Sequence, residues 1–129
     1  MARWKLLGDL ERLVMEVLWD TVTPQTVRDV HARVTARHEL AYTTVMTVLR
    51  RLAEKGLVIQ DRGERAHRYC AAHTRDELVA GVMMDALDQV LGSGDKRSAL
   101  VHFAERVDSE DLHALQQALA EVDNRQASA

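Results

Sequence analysis

The sequence predicts a mainly α-helical protein, with a winged helix-turn-helix domain that has a small β-hairpin wing and a C-terminal three-helix domain. Three observations support this fold class. Residues 41–56 have the pattern of an amphipathic helix ending in Lys-Gly, two short strand patterns follow around a Gly-containing turn, and helix caps and apolar stripes fill the rest. A helix followed directly by a basic hairpin is the element order of a winged helix-turn-helix.

Two helices are predicted before this amphipathic segment. The first covers residues 8–20 and places Leu10, Leu13, Val14, Val17 and Leu18 on one face. Thr23-Pro24 is predicted to start the second, because Thr caps a helix and Pro fits its first position. The second helix is expected to end near Arg37. Its expected buried residues are Val27, Val30 and one of His31 and Val34.

The segment 41–56 has two different faces. Its buried stripe is predicted to consist of Val45, Val48, Leu49 and Leu52. The opposite side carries Thr43, Thr44, Thr47, Arg50, Arg51 and Glu54. Lys55 and Gly56 provide a cation in the last turn and a residue suited to the left-handed conformation that ends helices.

The cluster of threonines favours contact with DNA, because threonine is a poor helix former and a solvated face needs no such residue. Short hydroxyl and methyl groups can approach base edges in the major groove. Basic side chains nearby would contact phosphates. They are Arg50, Arg51 and Lys55 on the helix, and Arg62, Arg65 and Arg68 in a hairpin predicted from strands at 57–61 and 66–71. The alternative is a solvated helix face and a solvated hairpin.

Charge is divided unevenly along the 129 residues. Residues 1–73 hold 12 Lys and Arg against 9 Asp and Glu, whereas residues 74–129 hold 5 against 11. The first part, at +3, suits duplex DNA, and the second, at −6, would be repelled by it. Only five aromatic residues occur, which argues against a single-strand binder built on stacked bases.

The single cysteine, Cys70, excludes an intrachain disulfide and fits a reduced, cytoplasmic environment. No uncharged apolar run approaches the ~18 residues of a membrane span, so neither a signal peptide nor membrane insertion is expected.

The predicted domains are a winged-helix domain at 1–73, a helical dimerisation domain at 74–124 and a frayed tail at 125–129. Thr-Arg-Asp-Glu at 74–77 is a capping box, Gly-Ser-Gly at 92–94 a turn, and Asp95 and Asp108 begin two more helices. About 50 residues with this much apolar surface cannot bury it alone, which favours a homodimer. The candidate dimerisation residues are Leu78, Val82, Leu100, Phe103, Leu112, Leu115 and Leu119.

No arrangement typical of an enzyme occurs, and no catalytic residue, cofactor or metal is predicted. His38-Glu39 resembles the start of a zinc-protease motif, but position 42 is Tyr rather than the second His. His67 and His73 flank Cys70, but ordinary surface histidines are the favoured interpretation over a metal site.

The chain resembles the penicillinase-repressor family (BlaI/MecI type) over nearly its whole length. The matching stretches are Leu-Glu at 10–11, Val-Met-Glu-Val-Leu-Trp at 14–19, Tyr-Thr-Thr-Val-Met-Thr-Val-Leu-Arg-Arg-Leu at 42–52, Lys-Gly-Leu-Val at 55–58 and His-Arg-Tyr at 67–69. The resemblance implies a homodimeric repressor of a palindromic operator. It also implies base contacts from Thr43, Thr44 and Thr47 and a backbone contact from Arg51.

Members of this family that control β-lactam resistance are inactivated when a membrane sensor's protease system cleaves the dimerisation domain at an Asn-Phe bond. The aligned bond here is His102-Phe103. Because this bond departs from the family's pattern, the resemblance does not establish that the proteolytic switch applies to this chain. A copper-responsive branch has a Cys-x-Cys tail, whereas this chain ends in Asn-Arg-Gln-Ala-Ser-Ala, so regulation by metal is not expected.

Two alternative functions remain open from the sequence. The first is a winged-helix repressor regulated by a small molecule bound between the C-terminal helices. The second is a protein-interaction module in which the segment 41–56 contacts another protein.

Overall fold

The structure is a computed structural model that describes residues 7–63 and 65–128. It contains two compact units, of which the first extends to Ala86 and the second begins at Leu87, within the fourth helix. The predicted domain limits stay predictions. The elements in chain order are α1 (Asp9–Asp20), β1 (Gln25–Thr26), α2 (Val27–Thr35), α3 (Tyr42–Glu54), β2 (Val58–Arg62), β3 (His67–Ala71), α4 (Arg75–Leu91), α5 (Lys96–Arg106) and α6 (Ser109–Ser128).

The start of α2 differs from the sequence prediction. Thr26, not Thr23, caps the helix: its hydroxyl accepts from the Asp29 amide at 3.1 Å, and the Asp29 carboxylate accepts from the Thr26 amide at 3.1 Å. Gln25 and Thr26 are extended because they pair with β3 as the short strand β1. The predicted start at Thr23-Pro24 is therefore wrong, and α2 also ends at Thr35 rather than near Arg37.

The helix end after α3 matches its prediction. Lys55 is the C-cap residue of α3. Gly56 follows with a φ of 79°, the left-handed conformation that glycine adopts without strain. The chain then enters the wing, where β2 and β3 form an antiparallel pair with Gln60 opposite Tyr69. The sheet order is β1-β3-β2, so the residues that the structure describes form three strands instead of the two predicted.

One apolar core holds α1, α2, α3, the wing and the start of α4 together. Every predicted stripe residue of α3 is buried in this core, as are Val30 and Val34 of α2. His31 is only half-buried. The buried core consists of Val14, Met15, Leu18, Val30, Val34, Val45, Val48, Leu49, Leu52, Leu57, Val58, Tyr69 and Leu78.

The helices after the wing begin as the sequence predicted. Thr74 and Glu77 form the reciprocal capping box of α4, and the Asp95 carboxylate accepts from the Arg97 amide at 2.9 Å at the start of α5. Helix α6 continues to Ser128, beyond residue 124, where order was predicted to end. None of residues 87–128, all of which the structure describes, is fully buried.

Candidate nucleic-acid interface

The outer face of α3 is exposed as the sequence predicted. Its apolar stripe lies in the core, which turns Thr43, Arg50 and Arg51 to the solvent and leaves Thr44 and Thr47 half-exposed. All five predicted contact residues of α3 therefore lie on surface that a ligand can reach. Such a helix, preceded by α2 and a short turn, has the geometry of a recognition helix.

The hydroxyl group of Thr47 is held by its own helix. It donates a hydrogen bond to the backbone oxygen of Thr43 at 2.9 Å. With its proton engaged, the Thr47 oxygen can only accept from a base, as from the amino group of cytosine or adenine, and its methyl group remains available for apolar contact.

Lys55 and Arg51 lie one turn apart, close to the start of α1. The Lys55 ammonium is 2.6 Å from the Glu11 carboxylate. Partial burial raises the pKa of Glu11, but the hydrogen bonds from Lys55 and the Gly8 amide, together with the charges of Lys55 and Arg51, outweigh burial and lower it. Part of the positive charge on this side of α3 is thus balanced within the protein.

A groove of about 550 Å³ separates α3 from the wing. Arg50 and Arg62 line it from opposite sides, and the α3 wall also carries the carboxylate of Glu54. On the wing side, the Gln60 amide donates to the Tyr69 hydroxyl at 3.1 Å and also contacts a ring nitrogen of His67. The full lining is Met46, Thr47, Arg50, Ala53, Glu54, Gln60, Arg62, His67 and Tyr69.

The other two wing arginines are also exposed. Arg68 lies opposite Thr26 in the β1–β3 pairing. Hydrogen bonds from the backbone and side chain of Thr26 lower the pKa of Asp29, and the charges of Arg68 and Arg33 add to this effect. Arg65 is next to the wing tip, so positive charge extends from the tip to the start of α2.

Two exposed apolar side chains on α3 were not singled out from the sequence. Tyr42 and Met46 are 46% and 44% exposed and lie one turn apart. They line a second groove, of about 460 Å³, together with Arg28 at the start of α2. Their four-residue spacing, beside the threonines and off the buried stripe, is the signal that could have identified them.

The candidate dimerisation residues lie in two different environments. Leu78 is buried in the core of the first unit, and Val82 packs against that core, so both contact their own chain. Leu100, Phe103 and Leu119 are exposed, at 52%, 44% and 58%. Leu112 and Leu115 are half-buried, and both residues of the candidate cleavage bond, His102 and Phe103, are exposed within α5.

A further groove of about 680 Å³ lies at the end of α1. The Trp19 indole donates to the backbone oxygen of His73 at 3.0 Å, and the Arg75 guanidinium lies 5.0 Å from the centre of the Trp19 ring. Cys70 also lines this groove. Across the described ranges 7–63 and 65–128, no three histidine, cysteine or acidic residues are grouped closely enough to hold a metal ion. In the same part of the chain, every helix is too short or too polar to cross a membrane.

A winged helix with an exposed helix face that carries threonines and arginines is the arrangement typical of DNA-binding transcriptional regulators. The model of the penicillinase repressor family matches residues 7–121, and the chain belongs to this family. Transcriptional regulators named BlaI from two Mycobacterium tuberculosis strains, CDC 1551 and H37Rv, are 59% identical over 123 residues, covering 95% of this chain and 89% of theirs. The family consists of transcriptional repressors rather than enzymes, which confirms the expectation of a non-enzymatic protein.

Two solved structures show more distant similarity. One is the Bacillus licheniformis BlaI monomer in complex with the blaP half-operator, at 22% identity, a TM-score of 0.49, and coverage of 57% of this chain and 88% of that one. The other is a Lactococcus lactis ZitR mutant in complex with DNA, at 12% identity, a TM-score of 0.47, and coverage of 93% and 75%. The family assignment comes from the sequence matches.

Proposed function

We propose that this regulator is a homodimeric repressor that binds a palindromic operator through α3 and the wing. The observation that carries the proposal is the α3 surface, where threonines are presented between two flanks of positive charge. Base contacts are assigned to Thr43, Thr44 and Thr47. Phosphate contacts are assigned to Arg50, Arg51, Lys55, Arg62, Arg65 and Arg68. A protein that works on DNA in this way is expected to act in the cytoplasm.

Support for the homodimer comes from the second unit. Residues 87–128 contain three helical segments without a fully buried residue, although Leu100, Phe103 and Leu119 present apolar surface. Apolar surface of this kind is stabilised when a partner covers it. A second copy of the chain satisfies this need, and two recognition helices then meet half-sites about one helical turn of DNA apart.

The proposed targets are genes of the β-lactam response, including that of a β-lactamase. Support comes from the family, which is named for penicillinase repression, and from the BlaI relatives. Release from DNA is proposed to follow cleavage in the second unit by the protease system of a membrane sensor. The His102-Phe103 bond is exposed in the 11-residue helix α5, and a short helix without buried residues can open locally for a protease.

The operator is tested with duplex DNA from upstream of the protein's own gene and of β-lactamase genes in the same genome. Footprinting should show one protected palindrome, and gel shifts at physiological salt should separate it from scrambled DNA by at least ~10³-fold in Kd. Binding that stays equal on scrambled DNA would contradict the proposal and leave the protein-interaction alternative.

The release step is tested by cutting the purified protein at one engineered protease site between residues 92 and 95, in the turn before α5. Loss of the tether should weaken full-operator binding by ~10²- to 10⁴-fold while half-site binding is unchanged, because the second half-site is then no longer met at a high effective concentration. The uncut variant is the control. Full-operator affinity that survives complete cleavage would exclude this mechanism.

A further inference from the structure

The structure points to an apolar contact on α3 that reads one particular base. We infer that Met46, supported by Tyr42, recognises the C5-methyl group of a thymine in the major groove, so that each half-site carries a thymine facing Met46. The inference rests on the proposed function and adds a specificity residue to it.

Met46 occupies a central place between α3 and the wing. Its side chain lines both grooves, the one shared with Arg50 and Arg62 and the one shared with Tyr42 and Arg28. Met46 is the residue of α3 that the two grooves share, and His67 and Tyr69 of β3 also line both. A single exposed apolar residue is ordinary on a protein surface. Met46, however, is adjacent to Thr47 and lies within a basic surface. Basic residues that bind the phosphates on either side would hold the base edges close to it.

Tyr42 is held in position before any ligand binds. Its ring lies edge-on to the His31 ring, with 5.6 Å between the ring centres. His31 is itself fixed, because its Nε2 atom is 2.8 Å from the backbone oxygen of Leu40. The turn between α2 and α3 thus places an ordered aromatic ring one helical turn before Met46, and the two side chains form one apolar strip.

The chemistry of this strip selects among the four bases. A thioether is at most a weak hydrogen-bond acceptor, so Met46 leaves the amino groups of adenine and cytosine unsatisfied where it covers them. The thymine methyl group is the one apolar feature on the major-groove edge. The methionine side chain is flexible and polarisable, so it can adjust its conformation to pack against a methyl group.

The test compares thymine with deoxyuridine, which pairs identically and lacks only the methyl group. The operator is first selected from random duplexes with the full-length protein, and each thymine is then replaced symmetrically in both half-sites. At one position, replacing thymine by deoxyuridine should weaken wild-type binding by about fourfold per half-site, the value for one buried methyl group. Met46→Ala should weaken binding to the thymine operator by a similar factor or more. In this variant, replacing the same thymine by deoxyuridine should cause no further loss.

Two variants make the comparison specific. Met46→Leu keeps an apolar side chain and should retain the preference for thymine over deoxyuridine. Ile59→Ala removes an exposed apolar side chain from β2 that lines neither groove, and it should retain the full preference. Circular dichroism of all three variants shows whether each is folded, and alanine favours the helix at position 46.

Two results would overturn the inference while leaving the proposed function intact. In one, wild-type protein binds its operator specifically but no thymine responds to loss of the methyl group. In the other, the methyl effect is the same size in Met46→Ala as in wild type. Failure of the wild-type protein to select any duplex would instead overturn the proposed function.

Discussion

At position 47, a hydroxyl group already bonded within its own helix decides how the residue can act. Because Thr47 donates to the Thr43 carbonyl, its replacement by alanine removes an acceptor and a methyl group without leaving a partner buried and unsatisfied. Thr47→Ala should therefore cost ~1–3 kcal/mol on the selected operator and little on scrambled DNA.

Arg51→Ala is the matched comparison for Thr47→Ala. It should weaken binding to both DNAs by the same factor and reduce the salt slope by about one phosphate contact. Titration of the three proteins on both duplexes at several salt concentrations measures both effects. Equal losses for Thr47→Ala on the two DNAs would remove Thr47 from the base-reading set.

Glu11 makes part of the folding stability depend on pH. Its pKa in the folded protein lies below the ordinary value of 4.5, so the unfolded chain takes up the proton first as pH falls. The contribution of Glu11 is thus complete above 4.5 and is lost as pH falls through the lower, folded pKa.

Urea unfolding between pH 7 and pH 3 measures this contribution. Glu11→Gln should be less stable than wild type near neutral pH, and the difference should shrink in acid. Glu16→Gln on the same helix is the control for the loss of one carboxylate from α1. A Glu11→Gln difference that stays constant down to pH 3 would show that the Lys55 contact does not hold in solution.

At the scale of elements, the end of α3 depends on one backbone conformation. Gly56 has a φ of 79°, and a Cβ atom there would meet no atom within 4 Å. Gly56→Ala should then cost ~1–2 kcal/mol through the left-handed backbone alone. Gly63→Ala is the control, because that residue lacks a positive φ and its Cβ would make an ordinary contact at 3.6 Å. Equal unfolding midpoints for the two variants would contradict this account.

The elements that the sequence predicted well are those with local causes. Capping residues and apolar periodicity predicted α1, α3 and the starts of α4 and α5, because both signals act within a few residues. The start of α2 was wrong because Thr23-Pro24 and Thr26 with Asp29 are both suitable start signals. Pairing of Gln25 and Thr26 with a strand more than 40 residues away decides between them, and a two-residue strand has no periodicity.

The candidate interface was predicted as a list of polar residues. Threonine and arginine identities were sufficient to identify the outer face of α3. The grooves beside it depend on how the wing packs, which no local pattern contains, so Met46 and Tyr42 were not singled out. Leu78 was assigned to a dimer seam because its stripe on α4 is wide, whereas the start of that stripe packs on the core of the first unit.

At the scale of the whole molecule, the proposed dimer predicts a charge-sensitive surface. Leu115 is half-buried within one chain, and a carboxylate there would be desolvated if a second copy covers it. Leu115→Asp should give a monomer by sedimentation with most of the helical dichroism retained. Gln116→Asp, at the next and exposed position of α6, should stay dimeric. A Leu115→Asp dimer of unchanged affinity would show that Leu115 packs only within its own subunit.

The strand order β1-β3-β2 has a consequence for hydrogen exchange. Strand β3 is paired on both sides at Arg68 and Tyr69, and one of its partners continues directly into α2. The wing is therefore joined to the helix-turn-helix by the pairing of its inner strand, β3, with β1, in addition to the pairing within the hairpin. Amide protons of Arg68 and Tyr69 should exchange only when the whole first unit unfolds, while those on the outer edge of β2 exchange through local opening.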